Sequence, residues 1–113
     1  MQKKSSQILI RKYKTAESFF DRLAGLMFRK TMPEYGVLFF PDCSSIHTFF
    51  MRFNLDIIMT DKDFVVLNYA ESLKPFKFFI TAGAKHTFEA PVGFIRKNKI
   101  KKGVGIRIHE KTN

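Results

Sequence analysis

The sequence predicts a mainly β fold, a small antiparallel β-sandwich or partly open barrel with one N-terminal helix and a short C-terminal helical turn. Three observations favour this class. Seven or eight short apolar segments are separated by Gly, Pro and Asp turns; the 113 residues are 45% hydrophobic and include 14 Phe; and one long stretch alternates apolar and polar residues. We expect a single domain over residues 1–113, with most Phe rings in its core.

The N-terminal third predicts a strand followed by the helix. Residues 6–13 are apolar and then basic, as in an edge strand, and Thr15 is a suitable N-cap. Residues 16–29 then place apolar side chains at helical spacing. Gly25 within this helix marks either close packing or the helix end. A loop follows, and residues 36–40 predict a short buried strand.

The central stretch from His47 to Thr60 alternates between apolar odd positions and mostly polar even positions. This pattern is typical of a strand with one buried face. Because its 14 residues exceed the usual strand length of about 5 to 6, we expect a bend near Asn54 that divides it.

The C-terminal half predicts further short strands. The turn at residues 61–63 joins the central stretch to an apolar strand at 64–69, which makes a hairpin. Two strands at 77–81 and 84–90 are separated by Gly83, residues 94–100 form one helical turn, and residues 104–108 form a final edge strand.

The net charge of +10 belongs to the two ends of the chain. Residues 1–14 and 96–111 carry twelve basic residues and one acidic residue, Glu110, while the remainder sums to −1. If the terminal strands lie side by side, the fold has one basic edge. That edge either attracts phosphate or anionic headgroups, or protects the sheet from pairing with a neighbour. Since no helix-turn-helix, zinc-finger or RNA-binding signature accompanies the charge, we favour the protective role.

Composition also limits the class of protein. The apolar content excludes disorder, and no apolar run approaches the ~20 residues of a membrane helix or the core of a signal peptide. The single cysteine, Cys43, excludes an internal disulfide framework and fits a reducing compartment. We therefore expect a soluble, cytoplasmic, bacterial protein.

Cys43 and His47 lie four residues apart and could act as nucleophile and base, with Asp42 or Asp56 as the orienting group. As metal ligands they are too few, and His86 and His109 do not complete a recognisable site, so we predict no metal and no cofactor. The structural alternative is that Cys43 is a small buried side chain and that His47 caps an apolar face. We favour that alternative because free Cys is among the most buried residue types.

Three charged residues, Arg22, Asp56 and Glu89, stand between apolar neighbours. Each must point outward or be paired inside, because an unpaired buried charge is costly. A pair between Arg22 and either carboxylate would join helix to sheet, whereas a polar cluster would line a cleft. The sequence leaves both possibilities open.

Three ordered blocks resemble the family known as domain of unknown function 192. Residues 18–29 resemble its R-L-x-G-L-M-x-R signature, residues 47–56 its H-T-F-x-M-R-F-P-I-D block, and residues 88–93 its L-E-L-P-A-G block. Cys43 ahead of the second block matches a sub-branch of this bacterial and archaeal family. The resemblance runs from about Thr15 to Ile108.

This resemblance implies a compact β-rich fold and no particular activity. Asn54 stands where the family usually has Pro, Phe50 where many members have Trp, and Val104 where an Asp usually follows the final Gly. Any role of that acid in relatives does not carry over to this chain.

We therefore predict a small ligand-binding or protein-binding module that acts as a monomer. Its expected surface combines residues of the family blocks and the loops around them: Arg22, Cys43, His47, Thr48, Met51, Asp56 and Glu89. The alternatives are an enzyme that uses Cys43 and His47, and a weak nucleic-acid or anionic-membrane binder that uses the basic termini. Nucleic acid is the less favoured partner.

Overall fold

A computed structural model describes residues 7–16, 36–49 and 51–109 and shows a mainly β protein. In chain order the elements are β1 (Gln7–Ile10), β2 (Tyr13–Thr15), β3 (Val37–Phe40), β4 (Ser45–His47), β5 (Leu55–Thr60), β6 (Val66–Leu73), β7 (Phe78–Ile80), β8 (His86–Pro91), α1 (Phe94–Lys97) and β9 (Gly105–Ile108).

The predicted N-terminal helix lies outside the described residues apart from its first position. Thr15, the predicted N-cap, is the last residue of β2 and pairs with Phe39. The amide of Ala16 also donates to the carbonyl of Phe39 at 2.8 Å. Residues 15 and 16, where the sequence predicts the start of the helix, therefore continue the hydrogen bonding of the sheet. The C-terminal helical turn is confirmed as α1.

The largest sheet has five strands in the order β2-β3-β8-β5-β6. Its strands pair antiparallel except β2 and β3, which are parallel. Two separate two-stranded ribbons, β1-β9 and β4-β7, complete the described β-structure. The described sheets do not close into a barrel. The purely antiparallel prediction is wrong for β1-β9 and β2-β3, because each pair joins strands that are separated by a long stretch of chain rather than by a hairpin turn.

The five-stranded sheet has an apolar layer on each face. On the first face, Phe39, Ile58 and Phe88 pack with Ile10 and Ile106 of the β1-β9 ribbon, and Ile95 of α1 joins them. The second face packs with the β4-β7 ribbon in a cluster that includes Leu38, Ile57, Met59, Ile46 and Phe79. The sheet is therefore the middle layer of the described fold.

Strand β5 shows where the alternation pattern was only partly right. The break before Leu55 is confirmed, since residues 51–54 belong to no strand. All six residues of β5 are buried, however, so the prediction of a single buried face is wrong. Both sides are covered because β5 lies between β8 and β6, with one apolar cluster above and one below.

The strands near the two ends of the chain lie side by side. β1 and β9 pair in parallel, with Leu9 opposite Arg107. The side chains of Ile8, Ile10, Ile106 and Ile108 pack against the first apolar cluster. The pairing of the terminal strands on which the predicted basic edge depends is therefore confirmed.

Candidate functional site

The predicted site residues differ in their exposure to solvent. Arg22 lies outside the described residues. Four of the others, Thr48, Met51, Asp56 and Glu89, are buried, whereas Cys43 is half-buried and His47 is exposed. Burial favours a structural role for the four interior residues.

Asp56 is fully buried and holds three backbone amides. One carboxylate oxygen accepts from the amides of Gly93 and Ile95 at 3.1 and 2.9 Å, and the other accepts from the amide of Ser72 at 2.9 Å. A bulge between β5 and β6 directs the Ser72 amide, since Ser72 has a φ of 53°. Asp56 thus joins the second and third family blocks by anchoring the start of α1.

Glu89 is also buried, at 5% exposure, in the middle of β8 on the second face of the sheet. Its strand neighbours are Leu38 and Ile57, and no described residue donates a hydrogen bond to its carboxylate. Burial raises the pKa of Glu89 from 4.5 to about 8. At neutral pH its side chain is therefore mostly the uncharged acid, which is compatible with apolar surroundings.

Cys43 and His47 do not form a nucleophile and base pair in the structure. The Cys43 thiol donates to the carbonyl of Ser45 at 3.1 Å. The Nδ1 atom of His47 accepts from the amide of Phe49 at 3.2 Å. Within the described ranges, no group of three or more His, Cys, Asp or Glu side chains could hold a metal ion.

His86, which the sequence did not connect to a metal site, makes structural contacts through one ring nitrogen and one ring face. Its Nδ1 accepts from the amide of Asp42 at 3.2 Å, and its ring stacks on Phe64 with centroids 4.5 Å apart. Burial lowers the pKa of His86 below its usual 6.5, more than the nearby Asp42 carboxylate raises it. The neutral ring therefore suits its acceptor role.

Thr48 fastens two loops together below the surface. Its hydroxyl donates to the carbonyl of Lys74 at 2.7 Å and accepts from the amide of Lys77 at 2.9 Å. Its backbone bonds the same loop, because the Thr48 amide donates to Lys77 and the Phe76 amide donates to Thr48. This clamp places the His47 to Phe49 turn beside the residues that lead into β7.

The clamp assembles an exposed cluster of rings, which we call the aromatic patch. The Phe49 ring lies 4.9 Å from Phe78, 6.1 Å from Phe76 and 5.1 Å from His47, measured between centroids. Phe76, Phe78 and Ile80 are 64%, 65% and 66% exposed. The patch consists of His47, Phe49, Phe76, Phe78 and Ile80.

The backbone of Phe76, within the aromatic patch, has an unusual conformation. Its φ of 62° lies in the left-handed region, which a bulky side chain rarely adopts. Residues held in this region cost of order 1 to 3 kcal/mol and cluster at binding and switch segments. The prediction that most Phe rings are core holds for Phe39, Phe40 and Phe88, which are buried, but is wrong for Phe76 and Phe78.

A shallow cavity of about 220 Å³ opens on the other side of the sheet. Its walls combine apolar side chains such as Val37 and Phe94 with the basic residues Arg11 and Lys12, which follow β1. The cavity therefore lies at one end of the basic edge, away from the aromatic patch.

The fold and these surfaces define a small layered β domain in which the most exposed large apolar side chains of the described residues lie on β7 and in the loop before it. The chain belongs to the DUF192 family, described as "Uncharacterized ACR", whose family model matches residues 1–108. The resemblance seen in the three sequence blocks is confirmed.

Known proteins share both sequence and fold with this chain. A UPF0127 protein of Pyrococcus horikoshii is 37% identical over 99 residues, which are 82% of each chain. A protein of unknown function from Novosphingobium aromaticivorans superposes with a TM-score of 0.66 at 25% identity, covering 86% of this chain and 70% of that one. A putative transcription regulator from Sinorhizobium meliloti gives a TM-score of 0.70 at 16% identity, covering 80% and 76%, and this shows a shared fold alone.

These matches also bear on two general expectations. The matched curated relatives come from the archaeal genera Pyrococcus and Thermococcus, so a bacterial source is not confirmed. No helix within the described ranges is long and apolar enough to cross a membrane.

Proposed function

We propose that this protein is a binding module whose aromatic patch docks a protein segment. The observation that carries the proposal is the exposure of Phe78 and Ile80 on β7 and of Phe76 in the loop just before it, each by about two thirds. Large apolar side chains exposed together mark interaction sites more often than single ones do. Of the residues predicted from the sequence, His47 lies in this patch and Thr48 supports it.

The size of the patch suits a modest interface. Two Phe and one Ile at this exposure present roughly 400 Å² of apolar surface, on the basis of about 200 Å² per side chain. At about 25 cal/mol per Å², covering it would contribute up to about 10 kcal/mol. Association itself costs about 4 to 15 kcal/mol, so the patch alone supports a weak or transient complex.

The charge around the patch selects the partner's chemistry. Residues 43–55 and 72–85, which build the patch and its supports, contain Arg52, Lys74, Lys77 and Lys85 but no acidic residue. Arg52, Lys74 and Lys77 are exposed, while Lys85 pairs with Asp42 at 2.9 Å. An apolar segment that also carries Asp or Glu therefore fits this surface best.

The contacts of the Cys43 thiol and the His47 imidazole favour a binding role over nucleophilic catalysis. A catalytic thiol needs a base within hydrogen-bond reach, and Cys43 instead donates to a backbone carbonyl. The His47 ring packs in the aromatic patch, 5.1 Å from Phe49. We assign His47 to contact with the partner and Cys43 to the turn that precedes β4.

The test is a selection from a random displayed-peptide library with the wild-type protein, followed by binding measurements on the enriched peptides. We expect enriched sequences that combine large apolar residues with Asp or Glu. The Phe78→Ser variant should bind them at least about tenfold more weakly, because truncating a central aromatic contact costs about 2 kcal/mol or more.

Val92→Ser is the matched control, since Val92 is a 54% exposed apolar residue outside the patch. It should bind the peptides as the wild type does, and both variants should unfold near the wild-type midpoint. Peptides that bind Phe78→Ser as tightly as the wild type would place the binding surface elsewhere.

A further inference from the structure

The β1-β9 ribbon carries one cation within its strands and two at each end. Because the strands are parallel, both begin at one end of the ribbon and both finish at the other. Lys101 and Lys102 precede β9, Arg107 lies within it, and Arg11 and Lys12 follow β1. We call these five residues the basic ridge.

The ridge faces away from the protein interior. Ile8, Ile10, Ile106 and Ile108 pack against the first apolar cluster, so their neighbours along each strand point to the opposite side. Arg107 is exposed there, and its strand partner Leu9 is 40% exposed. Arg11, Lys12, Lys101 and Lys102 are exposed as well.

Among the described residues, no acidic side chain neutralises the ridge charges. Residues 7–16 and 94–109 contain no Asp or Glu. In the part of the chain that the structure describes, none of the five ridge residues forms an ion pair, whereas Lys62, Lys85 and Arg96 do. These five exposed cations lie on or beside one pair of strands and repel one another. An external polyanion would relieve that repulsion.

We propose that the basic ridge binds the phosphate backbone of double-stranded nucleic acid without reading its sequence. The four-residue ribbon is about 13 Å long at about 3.3 Å per residue. Double-stranded DNA carries one charge per about 1.7 Å, so a duplex segment of this length contains about eight phosphates, counting both strands. Five cations along it can therefore meet several phosphates at once.

The composition of the ridge distinguishes this ligand from other polyanions. Stable peripheral membrane binding combines basic residues with apolar side chains that enter the bilayer, and Leu9 is the one large apolar residue exposed on this ribbon among the described residues. Single-stranded nucleic acid binding relies on exposed aromatic rings, and neither β1 nor β9 contains an aromatic residue. The only described helix, α1, has four residues, which is too short to read bases in a groove.

The experiment measures the binding of a short fluorescently labelled DNA duplex by anisotropy at several salt concentrations. The full chain is compared with Arg107→Glu, Lys101→Glu and the matched control Lys62→Glu, which reverses an 81% exposed lysine in the β5–β6 turn. We expect log K to fall linearly with log salt. Each ridge variant should lose about tenfold in affinity and about one unit of slope, whereas Lys62→Glu should lose less than about threefold.

Three further measurements, of thermal midpoints, of vesicle binding and of duplex binding by Phe78→Ser, decide the remaining outcomes. All variants should keep the wild-type thermal midpoint, because the replaced side chains are exposed. Equal losses in Lys62→Glu and the ridge variants would show attraction by net charge alone and overturn the proposal. Ridge-dependent binding to phosphatidylserine vesicles without duplex binding would overturn it in favour of a membrane. If Phe78→Ser binds the duplex as tightly as the wild type does, the duplex site is distinct from the aromatic patch.

Discussion

Two buried carboxylates, Asp56 and Glu89, meet the cost of burial in different ways. Asp56 accepts three backbone hydrogen bonds, which replace the water that a carboxylate loses. Glu89 receives none from the described residues, and burial raises its pKa to about 8. The sequence identified both as charges among apolar neighbours, but it could not show which backbone amides would reach either of them.

Glu89 makes the stability of the protein depend on pH. In the unfolded chain its pKa is 4.5, and in the folded protein it is about 8. Between these values the unfolded state releases a proton that the folded state retains, so stability from this group is complete below pH 4.5 and is lost as pH rises through 8. Glu89→Gln should remove this loss and be more stable than the wild type at pH 8, by on the order of a few kcal/mol.

Urea unfolding at pH 4.5 and at pH 8 measures this difference. Glu71→Gln is the matched control because Glu71 is exposed and pairs only loosely with Arg96, at 3.6 Å. It should retain the wild-type decline between the two pH values. A Glu89→Gln variant that declines in parallel with the wild type would mean that Glu89 is ionised in the folded protein.

Thr48 offers a second test at the scale of one residue. Thr48→Val keeps the volume but removes the hydroxyl that bonds Lys74 and Lys77. We expect a loss of about 1 to 3 kcal/mol in the free energy of unfolding, because the carbonyl and amide lose a buried partner. Hydrogen exchange should accelerate at the amides of Phe76 and Lys77, and unchanged exchange there would show that the hydroxyl does not hold the loop.

At the scale of elements, α1 depends on Asp56 rather than on its own length. A helix of four residues has too few internal bonds to be stable alone, and its N-cap residue, Gly93, makes no side-chain cap hydrogen bond. Asp56→Ala should cost about 3 kcal/mol or more, because it leaves three amides without their acceptor. Urea unfolding measures the loss, and proton exchange at Gly93 and Ile95 locates it.

Asp56→Asn is the informative companion, because it keeps a single side-chain oxygen acceptor and similar volume. Its loss should lie between those of the wild type and Asp56→Ala. If Asp56→Ala unfolds at the wild-type urea concentration, α1 is held by packing of Ile95 and not by the carboxylate.

Local signals predicted many of the elements, while pairing between distant segments escaped them. The β5–β6 hairpin, the strands on either side of Gly83 and the final strand follow from turn residues and apolar runs. The parallel β1-β9 pair joins segments almost a hundred residues apart, and no local pattern specifies such a contact. The same is true of β4 and β7, which form a ribbon outside the main sheet.

The candidate site was only partly predictable for a related reason. His47 and Thr48 belong to a family block that the sequence singles out, whereas Phe76 and Phe78 fall under the expectation that most Phe rings are core, and Ile80 is assigned no site role. One signal was available, because residues 78–80 are all apolar although a strand exposes alternate residues. Such a run means either burial on both faces or one exposed apolar face, and only the tertiary layers decide between them.

At the scale of the whole molecule, the two proposed surfaces lie on opposite sides of the five-stranded sheet. The aromatic patch belongs to the ribbon on the second face, and the basic ridge to the ribbon on the first face. The apolar sheet core lies between them, so neither surface shares a side chain with the other. This arrangement would allow one molecule to hold a protein segment and a polyanion together.

The separation predicts that the two activities are independent. Arg107→Glu should leave the affinity for the selected peptides unchanged, and Phe78→Ser should leave duplex binding unchanged. The double variant should show the sum of the two free-energy changes, because distant sites without shared partners are additive. Anisotropy titrations of the four proteins with both ligands measure this, and a deviation above about 0.5 kcal/mol would indicate coupling through the sheet.

The most direct test of the central claim, that the aromatic patch is the binding surface, is a chemical-shift titration of the ¹⁵N-labelled protein with an enriched peptide. We predict the largest shifts at His47 to Phe49 and Phe76 to Ile80, with Thr48 following its neighbours. Shifts centred instead on Cys43, Asp56 and Glu89, with Phe78 unmoved, would contradict it.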